Sequence, residues 1–364
     1  MSGDLVTRLD AICNEYGATG VQVAVFLPDK FYTYNYGMAD KDAGTYVNDN
    51  TKFRVASLSK LVTDMVFLCM AEDGFVSEEE NIENYLGYMV RNPNYPQIII
   101  TPEMLMTHTS SIIDSEQFLQ SRLNDSSIPI KQLLESSATF SRYSPGCDYC
   151  YSNFGVALIG AICEKASGEG FQSLADRYIL DRLNIDAAYI ASAIEDINNI
   201  GVLYGNGGRS KEAQLCEKFS SELGQTHHLV QGNLTISAHD YAKILRLLIN
   251  DGVDENGQRI LSSNSVEAIL KSHFRNGDES IGYGLRTQYN FELRTVQSVH
   301  SGSNFGMYSS FMLFPESNSG VVVLTSGADG HINNKYDLYQ VCYDISKIIY
   351  GDILDCAILG SKIE

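Results

Sequence analysis

A serine and a lysine three positions apart, Ser57 and Lys60, form the segment with the clearest chemical potential in this chain. They stand at the start of a helix predicted over 58–72, and residues three apart on a helix share a face. A serine hydroxyl is a weak nucleophile until a neighbouring base takes its proton, and burial beside a helix N-terminus disfavours the ammonium form of a lysine. The competing interpretation is a capping serine beside a solvated lysine, against which the apolar neighbours of Lys60 argue.

The second candidate is a tyrosine and an asparagine, Tyr151 and Asn153, within SPGCDYCYSNFGVALIG. A Pro145-Gly146 turn precedes them and an apolar helix predicted over 154–165 follows, so their loop is held between rigid elements. A phenol at this place could relay a proton, and an amide could both donate to and accept from a substrate amide. The alternative is a loop tyrosine followed by an asparagine that caps the helix.

The third candidate is the segment His300-Ser301-Gly302-Ser303, at the end of a strand predicted over 293–300. A glycine in a strand allows a ligand to approach the backbone closely, and the amide that follows Gly302 could donate to an oxyanion. The alternative is an ordinary β-turn, because the surrounding TVQSVHSGSNFG is rich in turn residues.

In this order along the chain, SLSK, YSN and HSG resemble the three active-site elements of the serine β-lactamases and D-alanyl-D-alanine peptidases. Their separations, from 57 to 151 and from 151 to 300, are similar to those of the class C branch, which includes D,D-carboxypeptidases, D-aminopeptidases and related esterases. Flanking stretches such as TPEMLMTHTSS and SGSNFGMYSSFMLFPESNSGVVVLTSG are also similar in kind, so the resemblance covers about residues 20–350.

The resemblance implies a role for each of these residues. Ser57 would be the acylated nucleophile, Lys60 its proton acceptor, and Tyr151 the relay of a proton to the leaving group and to the deacylating water. Asn153 would orient Lys60 and the substrate amide. The backbone amides of Ser57 and Ser303 would form an oxyanion hole, in which one donor typically contributes about 2.7–4 kcal/mol to transition-state stabilisation.

Two departures from the family pattern bear on the substrate. His300 stands where many members carry a lysine; it would help to position a substrate carboxylate or Tyr151, although a mostly neutral imidazole attracts a carboxylate less than an ammonium does. The stretch THTSS lacks the glycine that commonly follows THTS. We therefore expect a serine hydrolase that forms an acyl-enzyme on Ser57 with D-amino-acid peptides or small esters. The alternatives are a class C-like β-lactamase and a non-catalytic penicillin-binding or sensor module.

The elements that must position these residues are strands near both ends of the chain and helices between them. Together they predict an α+β fold, an α/β/α sandwich in which an antiparallel sheet built from both termini is flanked by helices. A mostly helical domain is inserted over 57–235, residues 1–56 plus 236–364 form the sheet domain, and the active site lies in the cleft between the two. The predicted strands cover 21–26, 31–36, 282–288, 293–300, 305–314 and 320–325, and the last helix covers 333–350.

The amino-acid composition limits the classes of molecule that this chain can bind. The chain has 364 residues, 44% of them hydrophobic, and a net charge of −19, so it is globular and repels the phosphates of nucleic acids. The expected partner is a small molecule or peptide substrate, with β-lactams among the ligands. No apolar stretch reaches the roughly 18 residues of a membrane span. The first residues lack the apolar core of a signal peptide, which leaves both an intracellular protein and export with a removed signal open.

Cofactors are not expected. The eight cysteines are scattered, and the one close pair, Cys147 and Cys150, lacks the second ligand pair of a metal site. We therefore expect free thiols and leave the disulfide state of that pair open. His227-His228 comes without a carboxylate pattern such as HExxH, and we interpret His108 as a packed structural histidine. Lys60 and Tyr151 cover the required proton transfers without a metal or organic cofactor.

Overall fold

A nine-stranded antiparallel sheet built from both ends of the chain organises the computed structural model, which describes residues 1–123 and 128–354. Among the described residues its strand order is β3-β2-β1-β11-β10-β9-β8-β7-β6, and β4 pairs with β5 in a separate two-stranded ribbon. The strands are β1 Gly20–Phe26, β2 Phe31–Asp40, β3 Thr45–Tyr46, β4 Phe53–Arg54, β5 Thr235–Ile236, β6 Phe274–Asn276, β7 Glu279–Ile281, β8 Arg286–Asn290, β9 Thr295–Asn304, β10 Met307–Phe314 and β11 Ser319–Ser326.

Helices cover both faces of this sheet, as predicted for an α/β/α sandwich. They are α1 Gly3–Glu15, α2 Ser59–Glu72, α3 Glu83–Leu86, α4 Pro102–Met106, α5 Glu116–Leu123, α6 Ile130–Leu134, α7 Asn153–Ser167, α8 Phe171–Ala175, α9 Lys211–Leu215, α10 Ala238–Ile249, α11 Ser263–Leu270 and α12 Gln340–Ile349. Strand β1 shows how two cores arise, because successive side chains of a strand point to opposite faces. Val23 packs with α1 and α12, whereas Ala24 packs with the larger cluster around α2 and α7.

The ribbon of β4 and β5 marks the place where the chain leaves the sheet and returns to it. Phe53 pairs with Ile236 and Arg54 with Thr235. Most of the helices lie between these two strands along the sequence. The helix that follows the ribbon, α2, is buried from Ser59 through Met70. It therefore forms a central support between the helical segment and the sheet. The domain boundaries at 56/57 and 235/236 remain a prediction.

Two of the predicted elements need correction. The last helix begins at Gln340 instead of 333, because Asn334 accepts hydrogen bonds from the backbone of Tyr336 and Leu338 and folds this segment into turns. The strand predicted from 282 begins at Arg286, because Gly284 turns with a φ of +62° against α2, where a Cβ would lie 2.6 Å from the Leu61 Cα.

The cysteines within the described residues are free thiols, including the exposed Cys147 and the half-buried Cys150. Cys356 lies outside the described residues. No helix in the described part of the chain is both long enough and apolar enough to cross a membrane.

Candidate active site

Ser57 lies in a single 3₁₀ turn, Ala56–Leu58, that leads directly into α2. Lys60 follows in the first turn of α2, and its side chain is fully buried. Its Nζ lies 2.9 Å from the Ser57 Oγ and 2.7 Å from the backbone carbonyl oxygen of Gln231. Lys60 is therefore not a solvated surface lysine, and its amine is aimed at the hydroxyl that it was predicted to activate.

The turn that carries Ser57 is held by bonds to neighbouring elements. The Ser59 hydroxyl donates to the Ala56 carbonyl at 2.6 Å and accepts from the Leu234 amide at 3.1 Å. From α10, the Tyr241 hydroxyl donates to the Leu58 carbonyl at 2.8 Å. Ala56 itself has a φ of +50°, a strained conformation for a residue with a side chain that persists only where its surroundings enforce it. The turn is thus fixed before any substrate binds.

Tyr151 lies beside this pair, in the loop before α7. The Lys60 Nζ lies 5.1 Å from the centre of its ring, and the His300 ring centre lies 6.1 Å away. The tyrosine is 38% exposed, yet its hydroxyl is closely surrounded, and this loss of hydration raises the pKa of Tyr151, while a hydrogen bond with Ser57 acts to lower it. The phenol therefore keeps its proton at neutral pH and is available as a donor. The three predicted residues Ser57, Lys60 and Tyr151 share one site.

Asn153 begins α7, where a carboxylate organises the loop. Asp114 accepts hydrogen bonds from the Ser152 hydroxyl at 3.2 Å, the Asn153 amide at 2.7 Å and the Phe154 backbone at 2.9 Å. A negative charge at a helix N-terminus interacts favourably with the helix dipole. The amide nitrogen of Asn153 is therefore occupied by Asp114, and the contacts predicted for Asn153 with Lys60 and the substrate remain a prediction.

His300 is buried within β9, which continues to Asn304 instead of ending at 300 as predicted, and it is uncharged. Its Nδ1 lies 2.7 Å from the Ser301 carbonyl oxygen, so that nitrogen carries the proton, because a carbonyl can only accept. Burial lowers the pKa of His300 well below its usual value, and the positive charges of Lys60 and Arg286 lower it further. The Nε2 of the neutral ring is then a hydrogen-bond acceptor. A substrate carboxylate would find no positive charge on this residue.

Gly302 brings β9 against the nucleophile turn. A Cβ at this position would lie 2.9 Å from the Ser57 amide nitrogen and 2.8 Å from the Val55 carbonyl oxygen, so only glycine allows this approach. The pairing of β8 with β9 ends at Arg286 and Val299, before this part of the strand. The Ser57 turn and the backbone leading into Ser303 are therefore neighbours, as a shared oxyanion hole requires, and that role remains a prediction.

His108 is a packed histidine, as interpreted from the sequence, but it packs against the site. Its ring centre lies 4.4 Å from that of Tyr151, and its Nδ1 accepts from the Ser152 amide at 3.3 Å. Burial and the charge of Lys60 lower the pKa of His108 to about 3. In the same loop, Ser111 has a φ of +66°, so this serine adopts the left-handed conformation for which the family pattern supplies a glycine.

A cleft of 680 Å³ lies next to the site, and Tyr151 is not among its lining residues. Its walls include Gln231, whose carbonyl accepts from Lys60, and Asn304 and Phe305, which follow Ser303. The arrangement therefore offers a nucleophile with an adjacent base, a phenolic proton donor, two neighbouring backbone segments and space for a substrate.

Comparison with known proteins shows the family of this chain. The model of the family described as Beta-lactamase matches residues 4–341. The chain belongs to the beta-lactamase family. Penicillin-binding protein 4* of Bacillus subtilis (strain 168) is 25% identical over 171 residues, which cover 46% of this chain and 37% of that protein. The chain thus matches less than half the length of the first curated relatives.

Solved structures of beta-lactamase-family proteins share the fold over nearly the whole chain. A class C β-lactamase superposes with a TM-score of 0.74 and 18% identity, covering 96% of each chain. The D-amino acid amidase of Ochrobactrum anthropi SV3 superposes with a TM-score of 0.73 and 20% identity, covering 99% of this chain and 100% of that one. These similarities confirm the predicted β-lactamase/transpeptidase-like fold.

Sequence reasoning missed several residues that shape the site. Asp114 carried no signal, because it lies 38 residues or more from the donors that it binds. Gln231 contributes a backbone carbonyl, which any residue type could supply. His108 could have been found, because it stands within TPEMLMTHTSS, one of the segments that carry the family resemblance.

Proposed function

We propose that this protein is a serine hydrolase that forms an acyl-enzyme on Ser57 with an amide or ester substrate. The observation that carries the proposal is the buried Lys60 amine, 2.9 Å from the Ser57 hydroxyl and 2.7 Å from the Gln231 carbonyl. Once Lys60 has lost its own proton, its amine can donate to this carbonyl and accept the proton of the serine hydroxyl. A nucleophile within hydrogen-bond reach of an oriented base is the arrangement that covalent catalysis requires.

The reaction follows from the groups around Ser57. As its Oγ attacks the substrate carbonyl carbon, its proton moves to Lys60, and the amides of Ser57 and Ser303 stabilise the negative oxygen. Tyr151 then donates its proton to the leaving nitrogen or oxygen as the bond to carbon breaks, and recovers a proton from Lys60. A water molecule attacks the ester on Ser57 by the same route in reverse, which releases the acid and restores the serine hydroxyl.

The neutral His300 favours D-amino-acid peptides, D-amino-acid amides or small esters over substrates that need a cation at this position. The structural likeness to a D-amino acid amidase supports an amide substrate. A class C-like β-lactamase with the same residues is the second candidate, favoured by the likeness to a β-lactamase of that class. A non-catalytic sensor module would have no need for a buried lysine aimed at a serine.

Intact-mass spectrometry tests the nucleophile. We expect a fluorophosphonate and a fluorescent penicillin each to add one mass increment to the wild-type protein, and peptide mapping to place it on Ser57. Ser57→Ala abolishes both, whereas Ser173→Ala, which removes an exposed serine of α8, changes neither. A label on another residue, or hydrolysis of D-peptides and esters that survives in Ser57→Ala, would contradict the proposal.

The rate of deacylation separates the two candidates. A β-lactamase turns over a chromogenic cephalosporin rapidly, whereas a peptidase or esterase accumulates a stable acyl-enzyme with it. We expect the penicillin adduct to persist over many minutes while a D-amino-acid amide or small ester is turned over.

A further inference from the structure

One wall of the cleft packs against the turn that carries Ser57. A Cβ at Gly232, in its wall, would lie 3.8 Å from the Ala56 carbonyl carbon. Gln231, next to it, accepts the hydrogen bond from Lys60. On the other wall, Asn304 and Phe305 continue the strand that carries Ser303. A substrate attacked by Ser57 can therefore extend directly into this space.

The part of the substrate that enters the cleft is the acyl group. Tyr151, the proposed donor to the leaving group, and His300 are not among the residues that line the cleft. The leaving group and the rest of the acyl group lie on opposite sides of the attacked carbonyl carbon. With the leaving group at Tyr151, the acyl group is the part of the substrate that remains to occupy the cleft lined by Asn304 and Phe305.

The lining of the cleft is positively charged although the chain as a whole has a net charge of −19. Among its described lining residues are three cations, Arg54, Arg209 and Lys218, and one carboxylate, Glu217. A local field of this sign attracts anions even when the overall charge of the protein repels them.

Arg54 is the unusual member of this group because it is 1% exposed. One end of its guanidinium pairs with Glu217, but its Nε has no hydrogen-bond partner among the described residues. Leaving a buried charged donor unsatisfied is costly, so such a group commonly has a function. The carbon centre of its guanidinium lies 5.6 Å from the centre of the Phe305 ring, and that of Arg209 lies 4.0 Å from the same ring.

From these observations we infer that the cleft binds acyl groups that carry a carboxylate, which Arg54 and Arg209 recognise beside Phe305. Guanidinium groups suit this task, because their fork of donors matches the two oxygens of a carboxylate. Glu217 occupies part of the Arg54 fork in the absence of substrate. The inference rests on the proposed serine hydrolase function and adds the substrate class, an amide or ester of an acid with a second, ionised carboxyl group.

Paired ester substrates test this preference. The p-nitrophenyl monoester of glutaric acid carries the carboxylate, and its methyl ester is the neutral match. We expect the wild-type protein to show a kcat/KM about tenfold higher for the anionic ester. We expect Arg209→Met to remove most of this ratio and Glu217→Gln to increase it, because the variant lacks the competing carboxylate.

Controls separate the inference from folding and from the function itself. Arg275→Met, which removes an exposed arginine of β6, leaves both kcat/KM values unchanged. Arg54→Met is expected to lose the ratio as well, and if it fails to fold, Arg209→Met and Glu217→Gln still decide. Two results would overturn the inference and leave the proposed function intact, provided that hydrolysis of the neutral ester depends on Ser57. One is a ratio of anionic to neutral kcat/KM of one or below, and the other is a ratio that Arg209→Met does not change. Hydrolysis of neither ester, together with no fluorophosphonate label on Ser57, would overturn both.

Discussion

Tyr151 illustrates how much a single side chain in this site depends on its surroundings. Its ring lies between the Lys60 amine and the rings of two histidines, His108 and His300, and the lost hydration raises its pKa. A protonated phenol cannot act as the first base, so in the proposed mechanism that task falls to Lys60, which is in short contact with Ser57. In the same proposal the tyrosine delivers a proton to the leaving group.

Replacing Tyr151 with phenylalanine tests this assignment. We expect Tyr151→Phe to lower kcat/KM for an amide substrate by about 10²–10⁴, the usual contribution of a general acid or base. The loss is expected to be smaller for a p-nitrophenyl ester, because p-nitrophenolate leaves without a proton. Steady-state kinetics on both substrates measure the difference. Tyr143→Phe, in the same loop and exposed, is the control, and equal losses on the two substrates would contradict the role.

Spacing alone brings together only residues that lie close along the chain, whereas Tyr151 and His300 were joined to them by the family resemblance. Ser57 and Lys60 meet because they are three positions apart at the start of a helix, so the sequence alone placed them together. Asp114 reaches its partners 38 to 40 positions away, and the bond from Lys60 to Gln231 spans 171 positions. Such contacts follow only from the tertiary fold, and without a known family pattern no spacing could have indicated them.

Among the elements, β9 leaves no room for an added side chain where it meets the site. It reaches the Ser57 turn through Gly302, where a Cβ would lie 2.5 Å from the Ser309 hydroxyl and 2.9 Å from the Ser57 amide nitrogen. Real Cβ atoms do not approach backbone atoms so closely, so a side chain there must separate the strand from the turn. The oxyanion donors proposed for Ser57 and Ser303 would then move apart.

Gly302→Ala is therefore expected to reduce kcat/KM by 10² or more, since one oxyanion donor alone is worth about 10²–10³. Urea unfolding is expected to show a loss of about 1–3 kcal/mol, typical of overpacking. Gly170→Ala is the matched control, because a Cβ there meets nothing within 4 Å. Wild-type activity in Gly302→Ala would show that β9 does not need this close approach.

The N-terminus of α7 depends on Asp114 in the same way. Its carboxylate accepts from Ser152, Asn153 and Phe154 and so fixes the loop that carries Tyr151. We expect Asp114→Ala to lower the free energy of unfolding by about 1–3 kcal/mol, the cost of leaving its donors unsatisfied, and to lower kcat. Thermal unfolding and kinetics check both effects. Glu116→Gln, which removes an exposed charge nearby, is expected to change neither, and an unaltered kcat in Asp114→Ala would refute the positioning role.

Helices and strands were predicted correctly where buried residues form a strong pattern in the sequence. They were missed or misplaced where polar side chains determine the backbone conformation. The buried runs of β1, β11 and α7 were predicted within one or two residues of their bounds. The short hairpin of β6 and β7 was missed, because Phe274–Asn276 and Glu279–Ile281 are three residues each and largely polar. The start of α12 was misplaced because the turn at Asn334 depends on one side chain.

For the whole molecule, buried ionisable groups couple folding to pH. Burial lowers the pKa of His108 to about 3 and lowers that of His300 well below its usual value. In the unfolded chain a histidine titrates near 6.5. Between these values the unfolded state binds more protons than the folded state, so both histidines make the protein less stable as the pH falls below about 6.5.

Asp64 acts in the opposite direction. It is fully buried in α2, and burial raises its pKa well above the usual value, while the charge of Lys60 acts to lower it. An acid whose pKa is raised on folding contributes stability that is present below its unfolded pKa and is lost as the pH rises through the folded value. The net pH dependence of the wild-type protein thus contains opposing contributions, and only a comparison between variants can isolate one of them.

His108→Asn isolates one histidine. Asparagine tolerates the φ of +58° at this position and can still accept from the Ser152 amide. Between pH 7 and pH 5.5, the neutral His108 is expected to cost the wild-type protein about 1 kcal/mol of unfolding free energy. In urea unfolding, we expect the drop in unfolding free energy from pH 7 to pH 5.5 to be about 1 kcal/mol smaller in His108→Asn than in the wild-type protein. In His331→Asn, which replaces an exposed histidine, we expect the wild-type difference. If His108→Asn shows the same pH dependence as the wild-type protein, His108 takes up its proton as readily in the folded state as in the unfolded chain. The electrostatic account of this site would then be wrong.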